Sequence, residues 1–208
     1  MKSQPSLIKS IIMAGFLMLF IVTSTLIKTA TALELGFTPN HVYSLWINVN
    51  QAVLTYGEQI SPNTQWLIKV KQMQPQPVTD KVPADVLKKA KEVSSMLAVL
   101  TKPQLYQRLS NEVLLQLSDG VEEIKPTDIY LFSSVLLHQT ITLIVTQASK
   151  DIAIGALFKP LEVVNKTPSD VFAQVALAQR RLAAIIQHQT SLKKRPQKRQ
   201  LGSKNHEN

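Results

Sequence analysis

Thr167-Pro168-Ser169-Asp170-Val171-Phe172 recurs in variant form three more times along the chain. The other copies are Thr38-Pro39-Asn40-His41-Val42-Tyr43, Val82-Pro83-Ala84-Asp85-Val86-Leu87 and Lys125-Pro126-Thr127-Asp128-Ile129-Tyr130. Their prolines stand 44, 43 and 42 residues apart, a near-constant spacing of the kind that marks tandem supersecondary units. Proline suits the first position of a helix, where its missing N–H has no partner to lose. A threonine before it can cap the helix, and an aspartate two places after it meets the positive end of the helix dipole. Each copy therefore reads as a helix start. In the first copy His41 stands in place of Asp, and Val82 and Lys125 offer no capping hydroxyl, so those starts need other partners.

Apolar residues follow each start at helical spacing. Val42, Tyr43, Trp46, Val49 and Val53 follow Pro39; Val86, Leu87, Ala90, Val93 and Leu97 follow Pro83. Pro126 leads to Ile129, Tyr130, Leu136, Leu137 and Ile141, and Pro168 to Val171, Phe172, Val175, Leu182 and Ile185. Each set lies on one helix face and must be buried against another. The pattern predicts an all-α fold, a compact bundle built from four tandem helical units of ~43 residues. The units span about 37–81, 82–124, 125–166 and 167–192, within one domain over 33–192. An αα solenoid fits the same pattern, but no terminal unit looks like a distinct cap, which favours the bundle.

Between the long helices the chain is punctuated. The first helix is expected to end at Gly57, and Ser61-Pro62 to open a short one carrying Trp66, Val70 and Met73. Gln74-Pro75-Gln76-Pro77 predicts an extended connector. A second helix of the second unit is expected from Leu105 to Leu117. The third unit's helix is expected to run to about Ser149 and the fourth's to about Thr190.

Residues 1–32 are of another kind. Lys2 and Lys9 precede an uncharged apolar run from Ile11 to Ile27, and Ala30-Thr31-Ala32 supplies a small-x-small cleavage pattern. Together these predict an export signal cleaved after Ala32 and a periplasmic or extracellular location; an uncleaved membrane anchor is the alternative. The chain contains no cysteine, which excludes disulfides, thiolate metal sites and c-type haem.

The formal charge of +9 is concentrated at the ends. Lys193, Lys194, Arg195, Lys198, Arg199 and Lys204 face a single acid, Glu207, in a C-terminal tail over 193–208 that is expected to be disordered. Lys193, Lys194, Arg195, Lys198 and Arg199 are candidate tethers to an anionic membrane surface. Export argues against nucleic acid as the tail's partner.

No nucleophile elbow, phosphate-binding glycine loop or dinucleotide fingerprint is present, and no catalytic role is assigned. No cofactor is expected. His138 and His188 could meet inside a bundle to hold a metal or haem, against the plainer reading of helical surface histidines. Asn165-Lys166-Thr167 matches a glycosylation sequon, though Pro168 directly after it disfavours use. Tyr43, Trp46, Tyr130 and Phe172 occupy early positions of three helices and are candidate ligand or partner contacts at one end of the bundle. The Arg180-Arg181 pair is either a solvated face or a docking site for an acidic partner. The expectation is an exported helical interaction or scaffold module of the cell envelope that binds a protein partner and is not an enzyme. A small-ligand carrier with an aromatic pocket at one end of the bundle is the alternative.

Overall fold

The four proline motifs become four helix starts. The computed structural model describes residues 36–62, 64–101, 123–147, 154–158 and 161–203, with side chains as far as Leu192. The export signal, the helix expected from Leu105 to Leu117 and the last five residues lie outside the described residues. In order come α1 (Pro39–Ile60), α2 (Gln65–Lys71), α3 (Pro83–Leu100), α4 (Pro126–Gln147), a 3-10 turn (Ile154–Phe158) and α5 (Pro168–Ser203). The fold is all-α, with no strand among the described residues. These elements all belong to the compact unit Phe37–Asn208.

Every start is held by the side chain two places after the proline. The Asp85, Asp128 and Asp170 carboxylates accept the backbone N–H of Val82, Lys125 and Thr167 at 3.2, 2.8 and 2.8 Å. At the first start the His41 ring does the same through Nδ1, at 3.1 Å from the Thr38 amide. Val82 and Lys125 thus need no hydroxyl, because the reciprocal half of the capping box suffices. At Asp170 the hydroxyl half is present too: Thr167 Oγ1 accepts the Asp170 N–H at 3.3 Å. The Thr167 amide and then its hydroxyl hold the Asp170 carboxyl below its ordinary value. A depressed pKa stabilises the fold above the unfolded-state pKa and loses that contribution as pH falls through the folded value. Asp170→Asn should therefore lower stability at pH 7 by about 1 kcal/mol and leave less difference below about pH 3. Urea titrations at the two pH values test this. His41→Asp should have the opposite sign, adding roughly 0.5 kcal/mol, since it places a charge at the dipole's positive end.

Three residues before the proline the backbone is left-handed in three of the four copies. Gly36, Asp80 and Asn165 have φ of +63°, +60° and +56°. These are residue types that tolerate this region best.

The helices pack as a ring. α1 contacts α4 and α5, and α3 contacts the same two, so α1 and α3 face each other across the axis. Val42, Val86, Ile129 and Val171, each three residues after a motif proline, line one apolar axial pocket of about 10 Å³ with the prolines themselves. All four helix starts therefore lie at the same end. The partners along α1 and α5 climb together, Tyr43 with Gln174, Asn50 with Arg181 and Tyr56 with Gln189, so these helices run parallel. Parallel dipoles repel, and the three acidic residues at the starts offset part of that cost.

A parallel arrangement needs long returns. α1 has 22 residues and is about 33 Å long. Below it, α2 is short and capped by Thr64, whose Oγ1 accepts from Leu67 N–H at 3.2 Å; Ser61 closes α1 instead of opening α2. Ten residues from Met73 to Val82 then run back without helix, and in extended form cover about 33 Å. Leu161 to Thr167 is the corresponding return before α5.

Two helix ends differ from expectation. α1 passes through Gly57 to Ile60, because Gly57 packs inward, where a Cβ would meet Leu67 Cδ1 at 3.4 Å and Ile185 Cδ1 at 3.5 Å. α5 continues beyond Thr190 to Ser203, so the helix enters the basic tail that composition alone marked as disordered. Lys, Arg and Gln, which dominate residues 193–200, are strong helix formers. α4 is long and apolar enough to cross a membrane by length and composition, yet ten of its residues are buried in the bundle, Phe132, Leu136 and Ile144 almost completely.

Candidate functional site

The aromatic residues picked out by position do not gather into one pocket. Trp46 is fully buried in the core and has no open face for a ligand. Tyr43, Tyr130 and Phe172 sit at the start end of α1, α4 and α5 but at different seams, with no ring contact between them among the described residues. Each is instead covered by the residue two places before a motif proline of a neighbouring helix. Lys166 Nζ lies 4.7 Å from the Tyr43 ring, Lys81 Nζ 5.2 Å from Phe172, and Phe37 stacks on Tyr130 at 3.9 Å and 12°. The same leads make main-chain bonds one residue past the next helix's proline. Lys166 N–H donates to Asn40 Oδ1 at 2.8 Å, and Lys81 N–H to Ser169 Oγ at 3.1 Å.

Arg180 and Arg181 are not a free cationic patch. Arg181 is 7 % exposed and reaches Asn50 Oδ1 and the Met73 carbonyl, each at 3.1 Å. Arg180 Nη2 donates to the Gln74 carbonyl at 2.6 Å. Together they fasten the Met73–Val82 return to α5. Asn50 also donates to the Gln174 carbonyl at 3.0 Å, and Gln174 Nε2 to Tyr43 Oη at 3.0 Å, so a polar lattice runs through the α1–α5 seam. Burial, and secondarily Arg180, lower the Arg181 guanidinium pKa.

His188 stacks flat on Trp66 at 4.1 Å and 9°, while His138 is exposed on α4. Among the described residues no group of three His, Asp or Glu is placed to hold a metal ion. Side chains of the tether residues Lys193, Lys194, Arg195, Lys198 and Arg199 lie outside the described residues.

What sequence reading missed is a groove of about 580 Å³ beside the α1–α4 seam. Asn40, His41, Ser44, Leu45 and Asn48 of α1 form one side and Tyr130 and Leu137 of α4 the other. The return closes it with Phe158 and Leu161–Val164. Phe158 is 55 % exposed and Val164 71 %. Of the aromatic candidates only Tyr130 lines it. Its signal in the sequence was weak: it depends on which helices are neighbours, and its two helical walls come from the first and third units, which are not consecutive.

No family model, curated protein or solved structure matches this chain.

Proposed function

We propose that this chain is an exported, non-catalytic interaction module of the cell envelope, and that it binds a partner polypeptide in the groove beside the α1–α4 seam. The observation that carries this reading is the groove itself, an apolar concavity rimmed by Phe158 and Val164, large side chains left in solvent. The export signal over 1–32 places the module outside the cytoplasm in this reading, and the basic stretch from Lys193 to Arg199 tethers it to an anionic membrane surface. We read the fold as four tandem units. Support comes from the N3 acceptor repeated at every start, the left-handed residue at three leads, and the lead-over-aromatic contact repeated at three seams.

Native mass spectrometry on protein purified from its own envelope tests the proposal. The expected spectrum shows a chain beginning at Leu33 with a second polypeptide bound, lost on Val164→Asp. A small bound mass in place of a polypeptide supports a carrier of an apolar ligand, the second reading, which the groove's size also suits. A chain that retains residues 1–32 overturns cleavage and makes the protein membrane-anchored.

A further inference from the structure

The groove is walled on one side by main chain. Leu161 to Val164 has no helical structure, and among the described residues only its Leu161 N–H is bonded, to Ser44 Oγ at 3.3 Å. The amides and carbonyls of Glu162, Val163 and Val164 have no partner among the described residues. Across the groove the Asn48 carboxamide is likewise without one. A helix or a rounded apolar molecule would leave these donors and acceptors unused, whereas an extended peptide offers a complementary row at strand spacing.

The molecule already shows which shape lies against its outer surface. Met73–Val82 rests on α5 through Arg180, Arg181 and Ser169, and Leu161–Lys166 rests on α1 through Ser44 and Asn40. Both are non-helical segments, each with one left-handed residue (Asp80, Asn165), fastened by main-chain hydrogen bonds to helix side chains. The groove continues the second of these interfaces outward. Among the described residues that line it, Glu162 is the one carboxylate, there is no Lys or Arg, and the rest are apolar or polar side chains.

From this we infer that the groove takes an extended polypeptide segment of the partner, which pairs with the main chain of Glu162–Val164, sets alternate apolar side chains toward Tyr130 and Leu137, and brings a basic residue to Glu162. The inference rests on the groove being the recognition face and adds the mode of binding and the chemistry of the partner.

Selection of a random displayed peptide library on the purified protein, with counter-selection on Val164→Asp and Phe158→Ser, tests it. Both substituted side chains are largely exposed, so the fold should survive and circular dichroism can check that it does. Selected peptides are expected to alternate apolar and polar residues around a Lys or Arg. N-methylation of alternate amides in such a peptide should weaken binding at least about tenfold, and Glu162→Gln by roughly fivefold, with no loss against a peptide whose basic residue is made neutral. Peptides that depend on Val164 but tolerate N-methylation, or that follow a helical pattern, overturn the pairing mode while leaving the groove as the recognition face. A library yielding no groove-dependent binder overturns both.

Discussion

Arg181→Ala is expected to destabilise the fold by about 3 kcal/mol, more than any surface substitution on the same helix. The guanidinium sits in the α1–α5 seam with no carboxylate beside it among the described residues; its hydrogen bonds go to the Asn50 carboxamide and the Met73 carbonyl. Truncation leaves both acceptors without that donor and opens space where the aliphatic stem packed. Arg181→Met keeps most of the stem and should cost about half as much. Pairing Arg181→Met with Asn50→Leu should cost less than the two singles combined, by roughly 1 kcal/mol, because the second change removes the stranded amide oxygen. Hydrogen exchange gives an independent readout: the 73–80 amides should lose protection in Arg181→Ala before the helices do. A variant within about 0.5 kcal/mol of the parent, with that segment still protected, would falsify the view that Arg181 fastens the return.

Trp46→Ala should cost about 4 kcal/mol, the largest effect expected from a single side chain here. Trp46 is fully buried against the cluster formed by Val42, Val49, Phe132 and Val175 among others, so its removal leaves a cavity that a tightly packed ring can only partly close. The indole N–H has no partner among the described residues. Trp46→Phe should therefore be mild, about 1 kcal/mol, since it ends the burial of an unpaired donor while retaining most of the apolar volume. Guanidinium denaturation of both variants separates the two contributions. Equal losses for Ala and Phe would mean that the indole makes an essential polar contact.

The helix starts were open to reading from sequence because they depend on local chemistry: a proline at the first position, an acceptor two places on and a helical apolar stripe behind. The shared left-handed lead was equally readable, since Gly36, Asp80 and Asn165 keep the spacing of their prolines, but Gly, Asp and Asn do not look alike until their backbone angles are known. Arg181 was legible by position rather than by type. It lies three residues after Ala178, seven after Gln174 and four before Ile185, all buried, so helical spacing puts it on the core face despite its charge. Helix direction was not readable. A stripe fixes which face is buried and leaves parallel and antiparallel packing equally possible; the long non-helical returns go with the parallel one. The groove inherits that uncertainty, as its two helical walls come from units that are not adjacent in the chain.

The ring order has a bearing on how this chain reaches its native state. α1 and α3 are the first two long helices described, and each packs against α4 and α5. Among the described elements α1 therefore has little to be buried against until α4 is complete, and the ring closes only with α5. Nearly every stabilising contact spans a long loop, which raises contact order and slows folding relative to an up-and-down bundle of similar length. Unfolding should be a single cooperative event with no stable N-terminal half. A fragment ending at Ile124 should remain a random coil, yet fold when mixed with residues 125–208.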